Sequence, residues 1–297
     1  MAVYKRTYKA YRGPLTPAWS RFMVLSRYGF STLFESRPFT AYVVLCMLPF
    51  LVGLVFIYVV HSTAIQSLLN VRFGRTPLIN NFWFLAFLSF EAWMGFLLTA
   101  WAAPGMISKD FANQSVQLYL SRPLSRAEYL LGKVSVMAGL LSCTTWIPAL
   151  ILFFVQAQLE GHGWGWDNLW LAGSIFIGAM MWIALISLLA MALAVWVRWR
   201  IAATALMMAI FFVLPGFGVV VNAILRTRWG SLLNLSYLIT NVWWHLFRIP
   251  VADGPTDRLT RLGQVPLWAA WGTLLAVCAL CVWVLNRKLK AREVVRG

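Results

Sequence analysis

The chain has 297 residues, of which 61% are hydrophobic and 15% aromatic against 11% charged, and its mean hydropathy is +0.74. A soluble domain this apolar would expose patches far larger than monomers tolerate, and disorder needs the opposite composition, so the chain reads as an integral membrane protein. The formal charge of +16 would point to a polyanion in a soluble protein; here membrane topology accounts for most of it, and no nucleic-acid partner is implied.

Residues 1–39 form a basic segment, loosely ordered up to Gly13 and Pro14. From Thr16 onward Trp19, Phe22, Met23, Phe30, Leu33 and Phe34 recur near helical spacing among Arg21, Arg27 and Arg37. That pattern predicts an amphipathic helix in the inner interface, feeding the first span like an elbow. No signal-peptide core precedes it, so the first span is expected to act as its own insertion signal.

A helical span needs about 20 apolar residues. Six stretches qualify, at 40–60, 82–104, 134–157, 169–197, 201–225 and 266–285. None alternates polar with apolar as a barrel strand would, so residues 40–286 are predicted to form an all-α six-helix transmembrane bundle, followed by a basic tail at 287–297. With the N-terminus inside, the cytoplasmic segments hold 18 Lys and Arg and the outer loops 7. The bias places both termini on the cytoplasmic side of an inner or plasma membrane.

Only the second span carries a charge. Glu91 lies about nine residues into it, about 14 Å at 1.5 Å per residue. A carboxylate at that depth is costly unless paired, hydrated or protonated, so Glu91 is a candidate for the translocation path. The alternative is a hydrogen-bond acceptor for the third span, with Ser142, Thr144 and Thr145 as donors.

The segment between the second and third spans reads GMISKDFANQSVQLYLSRPLSRAEYLLGK over residues 105–133. Asp110 can cap a short helix in which Phe111, Leu118, Tyr119 and Leu120 supply apolar contacts. The Arg122-Pro123 step should end that helix, because the residue before proline disfavours the α conformation. Ser125 and Glu128 then form a capping box that opens a helix running past Arg126, Gly132 and Lys133 into the third span. Such a surface helix is either a docking element or an interfacial connector whose arginines meet anionic lipid.

The fourth and fifth spans are separated only by Arg198, Trp199 and Arg200, which requires a tight hairpin. Pro215, Gly216 and Gly218 permit a kink in the fifth. The run SLLNLSYLITNVWWHLF at 231–247 is too short for a comfortable span and predicts a re-entrant or interfacial helix, with Trp243 and Trp244 at headgroup depth. The cysteines Cys46, Cys143, Cys278 and Cys281 all fall inside spans and read as small packing residues, and no histidine spacing suggests a metal site.

The run D-x-x-N…LYLSRPLSRAEYLLGK resembles the segment between spans two and three of ABC type-2 permeases, the membrane half of exporters driven by a separate ATPase. The likeness covers about 25 residues. It implies that the cytoplasmic helix is a coupling helix seated on the ATPase, with Asp110, Phe111, Leu118, Tyr119, Leu120, Arg122, Pro123, Arg126, Glu128 and Lys133 in the coupling region. It also implies two ATPase subunits, each binding ATP and Mg, and a second permease copy, most simply a homodimer. Where many members carry an acidic pair followed by Gly-Thr, this chain has Lys109-Asp110 and Asn113-Gln114-Ser115, and the cargo stays open. The chain has no phosphate loop of its own, so it is not expected to be an enzyme or to hold a cofactor. The alternative function is a membrane subunit or scaffold that transmits ATPase motion to an outer-side partner.

Overall fold

The computed structural model describes residues 21–68, 78–112, 126–161, 163–197, 199–250 and 264–293. Among them there is no strand, and six helices are long and apolar enough to cross a membrane: Arg37–His61, Asn81–Met106, Ala127–Glu160, Leu169–Trp196, Arg200–Leu225 and Leu267–Lys288. These are spans one to six. Arg37, Arg200 and Arg287 mark one end of the bundle, hereafter the basic face.

Span four is the pillar. In its most apolar window 67% of the residues are buried, against 17% for spans one and five, and it packs on spans two, three, five and six. Two glycines let aromatic side chains lock it in place. A Cβ on Gly95 would come within 2.8 Å of Trp182, and one on Gly178 within 3.1 Å of Trp243, so each glycine is a seat for an indole.

Three spans are broken where proline dictates. Proline has no N–H and crowds the carbonyl four residues back, so a helix tolerates it best in its first turn. Span one stops at Leu45 and restarts at Leu48-Pro49, span three stops at Thr144 and restarts at Trp146 ahead of Pro148, and span five stops at Phe212 and restarts at Leu214-Pro215. Only the last of these breaks is anticipated from sequence above; the others interrupt runs that hydropathy reads as continuous.

A helix at Arg21–Phe34 precedes span one, and it packs along the first half of span three. Ser26 hydroxyl donates to the Gly132 carbonyl at 3.1 Å and lies 2.7 Å from the Ser135 hydroxyl. Gly29 fits against Val136, and Gly139 against the Phe30 ring. Leu25 and Phe30 thus face protein, while Met23, Tyr28 and Phe34 stay exposed.

Beyond Leu225 the chain turns at Arg226, in the left-handed region at φ 47, and doubles back as a 3-10 turn, Trp229–Leu233. Gly230 crosses Gly218 backbone to backbone, with no room for a Cβ on either. Because Gly218 lies seven residues before the helix end, the chain re-enters by about 10 Å. Asn222, buried beside the crossing, accepts from the Gly230 N–H at 2.7 Å and donates to the Ser231 hydroxyl at 2.8 Å. The short helix Leu235–Leu246 then climbs against spans four and six, capped by Asn234. Trp243 is packed inside the bundle: it is 3% exposed, with its indole N–H donating to the Gly178 carbonyl at 3.1 Å. Its one polar atom thus has a partner within the protein.

Candidate functional site

The segment 113–125, between spans two and three, is bracketed by two helices at the basic face. The helix of span two runs on to Ala112, and the helix of span three starts at Arg126. Leu118, Tyr119, Leu120, Arg122 and Pro123 lie outside the described residues. Asp110 and Phe111 belong to the last turn of helix Asn81–Ala112, so the helix of span two continues through them. Arg126 opens the next helix one residue after Ser125, where the capping box puts the start. Glu128 sits in that helix's first turn, where a negative charge meets the positive end of the helix dipole.

Lys133, which the resemblance includes in the coupling region, is buried. It is 8% exposed, its ammonium reaches the Met106 carbonyl at 3.5 Å, and it lies 6.0 Å from the centroid of the Tyr129 ring. Its charge is turned inward because the end of span two offers it an acceptor. Lys133 therefore ties the start of span three to the end of span two.

Just above that tie span two carries a proline without breaking. Pro104 stands inside the helix, so the Ala100 carbonyl has lost its donor four residues on. Span five replaces it. Thr204 hydroxyl donates to the Ala100 carbonyl at 3.0 Å, and the Arg200 guanidinium donates to the Trp101 carbonyl at 3.2 Å. Gly105, one residue past the proline, leaves ordinary contact space for the Arg200 side chain. No sequence motif announces this staple; the only signal is a proline in an apolar run, with a Thr and an Arg one turn apart at the start of another span.

Glu91 is fully buried within its own chain, and neither carboxylate oxygen has a hydrogen-bond partner among the described residues. Its helix face is set by its neighbours at turn spacing. Phe84 meets Phe153 of span three at 6.2 Å, Gly95 meets Leu141 and Trp182, and Cys46 of span one lies within electrostatic reach of the carboxyl, so Glu91 faces the bundle interior between spans one, three and four. Two of the three expected donors, Thr144 and Thr145, are occupied elsewhere. Thr145 hydroxyl bonds the Leu141 carbonyl at 2.7 Å, and Thr144 hydroxyl bonds the carbonyls of Leu140 and Leu141. A path role for Glu91 therefore requires spans to part.

A second feature escapes sequence reading. Spans two, four and five and the short helix Leu235–Leu246 enclose a cleft of about 90 Å³ walled by Trp93, Phe96, Trp182, Phe211 and Trp243. Ser89 and Thr240 are among its few polar residues. At the opposite end of the bundle, His61 and Glu160 pair at 2.9 Å across the ends of spans one and three, with Gln156 donating to the same carboxylate at 3.0 Å.

These features define a helical membrane protein with six helices able to span, a basic face where spans two, three and five are tied together, and a buried carboxylate at its centre. No protein-family model matches the chain, and a search of curated proteins finds no relative.

Proposed function

We propose that this chain is the transmembrane subunit of an ATP-binding cassette exporter, driven by a separate ATPase docked on the basic face. The observation that carries the reading is the run DFANQSVQLYLSRPLSRAEYLLGK, similar to the coupling segment of ABC type-2 permeases, set between two helices that extend from spans two and three on one face. In this reading two copies of the chain pair with two ATPase subunits, the basic face is cytoplasmic, and ATP and Mg are held by the partner.

The ties at that face support a mechanical role. Force delivered to residues 110–126 reaches span three through its own helix and span two through Lys133. The Pro104 staple passes it on to span five. The helix Arg21–Phe34, packed on span three, moves with it. Arg122 and Arg126 contact the ATPase, and Glu91 lies where spans two, three and four would have to open for cargo.

Co-expression with the ATPase encoded beside this gene, with purification on a tag on this chain, tests the proposal. A 2:2 complex is expected, whose ATP turnover falls at least severalfold in the Arg122→Glu/Arg126→Glu variant. Purification without an ATPase would overturn the exporter reading, and recovery with outer-side proteins would favour the scaffold.

A further inference from the structure

We propose that His61 and Glu160 form a proton-held clasp across the ends of spans one and three, and that loss of the proton lets the half of span one beyond the Leu45 break swing away from span three.

The clasp stands at the end of a lever. Span one stops at Leu45 and restarts at Leu48-Pro49, so Leu48–His61 is a separate rod of 14 residues, about 20 Å long, joined to the first half through the break. Its main support is the half of span three beyond the Thr144 break, Trp146–Glu160. Gly53 seats Leu152 there, and Phe56 stacks on Trp83 of span two at 6.1 Å between ring centroids. Elsewhere the rod is open, with Leu51, Val52, Val55 and Tyr58 exposed. The polar tie between the two helices joins their last residues, His61 and Glu160.

The hydrogen count at that tie carries the proposal. His61 Nδ1 lies 2.9 Å from the Ile57 carbonyl, and Nε2 lies 2.9 Å from Glu160 Oε2. A neutral imidazole has one N–H for these two contacts, and neither a carbonyl nor a carboxylate oxygen brings a hydrogen of its own. In one tautomer Nε2 points a lone pair at the carboxylate; in the other Nδ1 points one at the carbonyl. Gln156 does not relieve the conflict, since its amide donates to the same Oε2 at 3.0 Å. Both contacts are made only when the pair holds one proton beyond the neutral ring and the free carboxylate. The clasped form therefore binds a proton that the parted form does not need, so raising the pH drives the pair apart. Histidine is the side chain suited to such a change between about pH 5 and 8.

The surroundings leave the control with this pair. Among the described residues, the other ionisable groups on the helices around it are Tyr58 on the rod itself and Asp167 on the helix Trp164–Asp167. The helix Thr63–Leu68 carries none, and the first on span two is Glu91, about 12 Å along the helix from Trp83.

Dipolar EPR on the full chain in nanodiscs tests this, with nitroxides carried on genetically encoded ketone side chains at the exposed positions Thr63 and Gln158 and the native cysteines left in place. The labels should stand about 5 Å further apart at about pH 8.5 than at about pH 5.5, as a swing of about 15° gives at the end of the rod. Glu160→Gln should keep the short distance at both pH values, because its amide N–H supplies the hydrogen that the neutral ring lacks. His61→Ala should show the long distance at both. With the first label moved to Val44, exposed and before the break, the distance should not change. A parent distance independent of pH, or a pH response that persists in Glu160→Gln or His61→Ala, would overturn the clasp. So would opening at low pH on addition of excess EDTA, which would make the bridging cation a metal. The Glu160→Gln arm keeps the contact and so decides even where His61→Ala does not fold. A change at Val44 as large as that at Thr63 would overturn the hinge.

Discussion

The Thr204 hydroxyl donates at 3.0 Å to the carbonyl of Ala100, the residue four before Pro104. The bond answers a vacancy that the proline itself creates, so its worth depends on the proline being there. Thr204→Val should destabilise the chain by about 1 kcal/mol, a fall of roughly 2 °C in melting temperature. In a Pro104→Ala background, where residue 104 regains its N–H, the same change should have much less effect. Equal losses in both backgrounds would show that Thr204 acts mainly through its other acceptor, the Arg200 carbonyl at 3.1 Å.

Glu91→Leu should leave folding intact. A buried carboxyl without a partner contributes desolvation cost and little else, and apolar replacement of such groups is commonly neutral or stabilising. Melting at or above the parent value, with transport and cargo-stimulated ATP turnover lost in the reconstituted complex, is the expected pair of results. A melting temperature lowered by more than about 5 °C would instead reveal a structural bond to the carboxyl.

Two glycines of span five, two residues apart, should respond in opposite ways. A Cβ at Gly218 would meet the backbone of Gly230, where nothing can yield, whereas one at Gly216 meets nothing within 4 Å. Gly218→Ala should cost about 3 kcal/mol or more, and Gly216→Ala should be neutral or slightly stabilising. Thermal melting of the two variants side by side decides it; similar curves would mean that the crossing is loose.

The helix Arg21–Phe34 offers a compensation test. A methyl at Gly29 would lie 2.7 Å from Val136 Cγ2. Gly29→Ala alone should loosen this helix from span three, and Gly29→Ala with Val136→Ala should restore the packing. The readout is protease protection of the N-terminal segment, and failure of the second change to restore it would place the contact elsewhere.

Hydropathy reports length and apolarity, and those were enough for six spans, because each needs only enough carbon to match a bilayer. They say nothing about which carbonyl loses its donor. Pro49 and Pro148 sit in runs as apolar as any other, so the breaks there are invisible until the helix must restart around them. Span three extends to Ala127 rather than starting near residue 134, since the helix opened after Ser125 continues through the more polar residues up to Lys133. The acceptor of Lys133 was not legible either, because the Met106 carbonyl is remote in sequence. The aromatic cleft was hidden for the same reason: Trp93, Trp182 and Trp243 come from three separated segments, and only the Gly95 and Gly178 seats bring their rings to one place. Glu91 was legible by type and depth, but its lack of a hydrogen-bond partner among the described residues was not, because the competing claims on Thr144 and Thr145 are local bonds of their own helix.

The crossing of Gly230 over Gly218 has a consequence for biogenesis. A segment that folds back along a helix already in place cannot be inserted as a hydrophobic unit in its own right; non-helical backbone is tolerated at membrane depth only where protein covers it. Span five must be seated first, with the Asn222 side chain waiting for the backbone of Gly230. Spans four and six must then close around the returning helix. Chains arrested between Leu225 and Ser231 would carry an unsatisfied amide on the surface of span five, a mark by which quality control could distinguish unfinished from finished molecules.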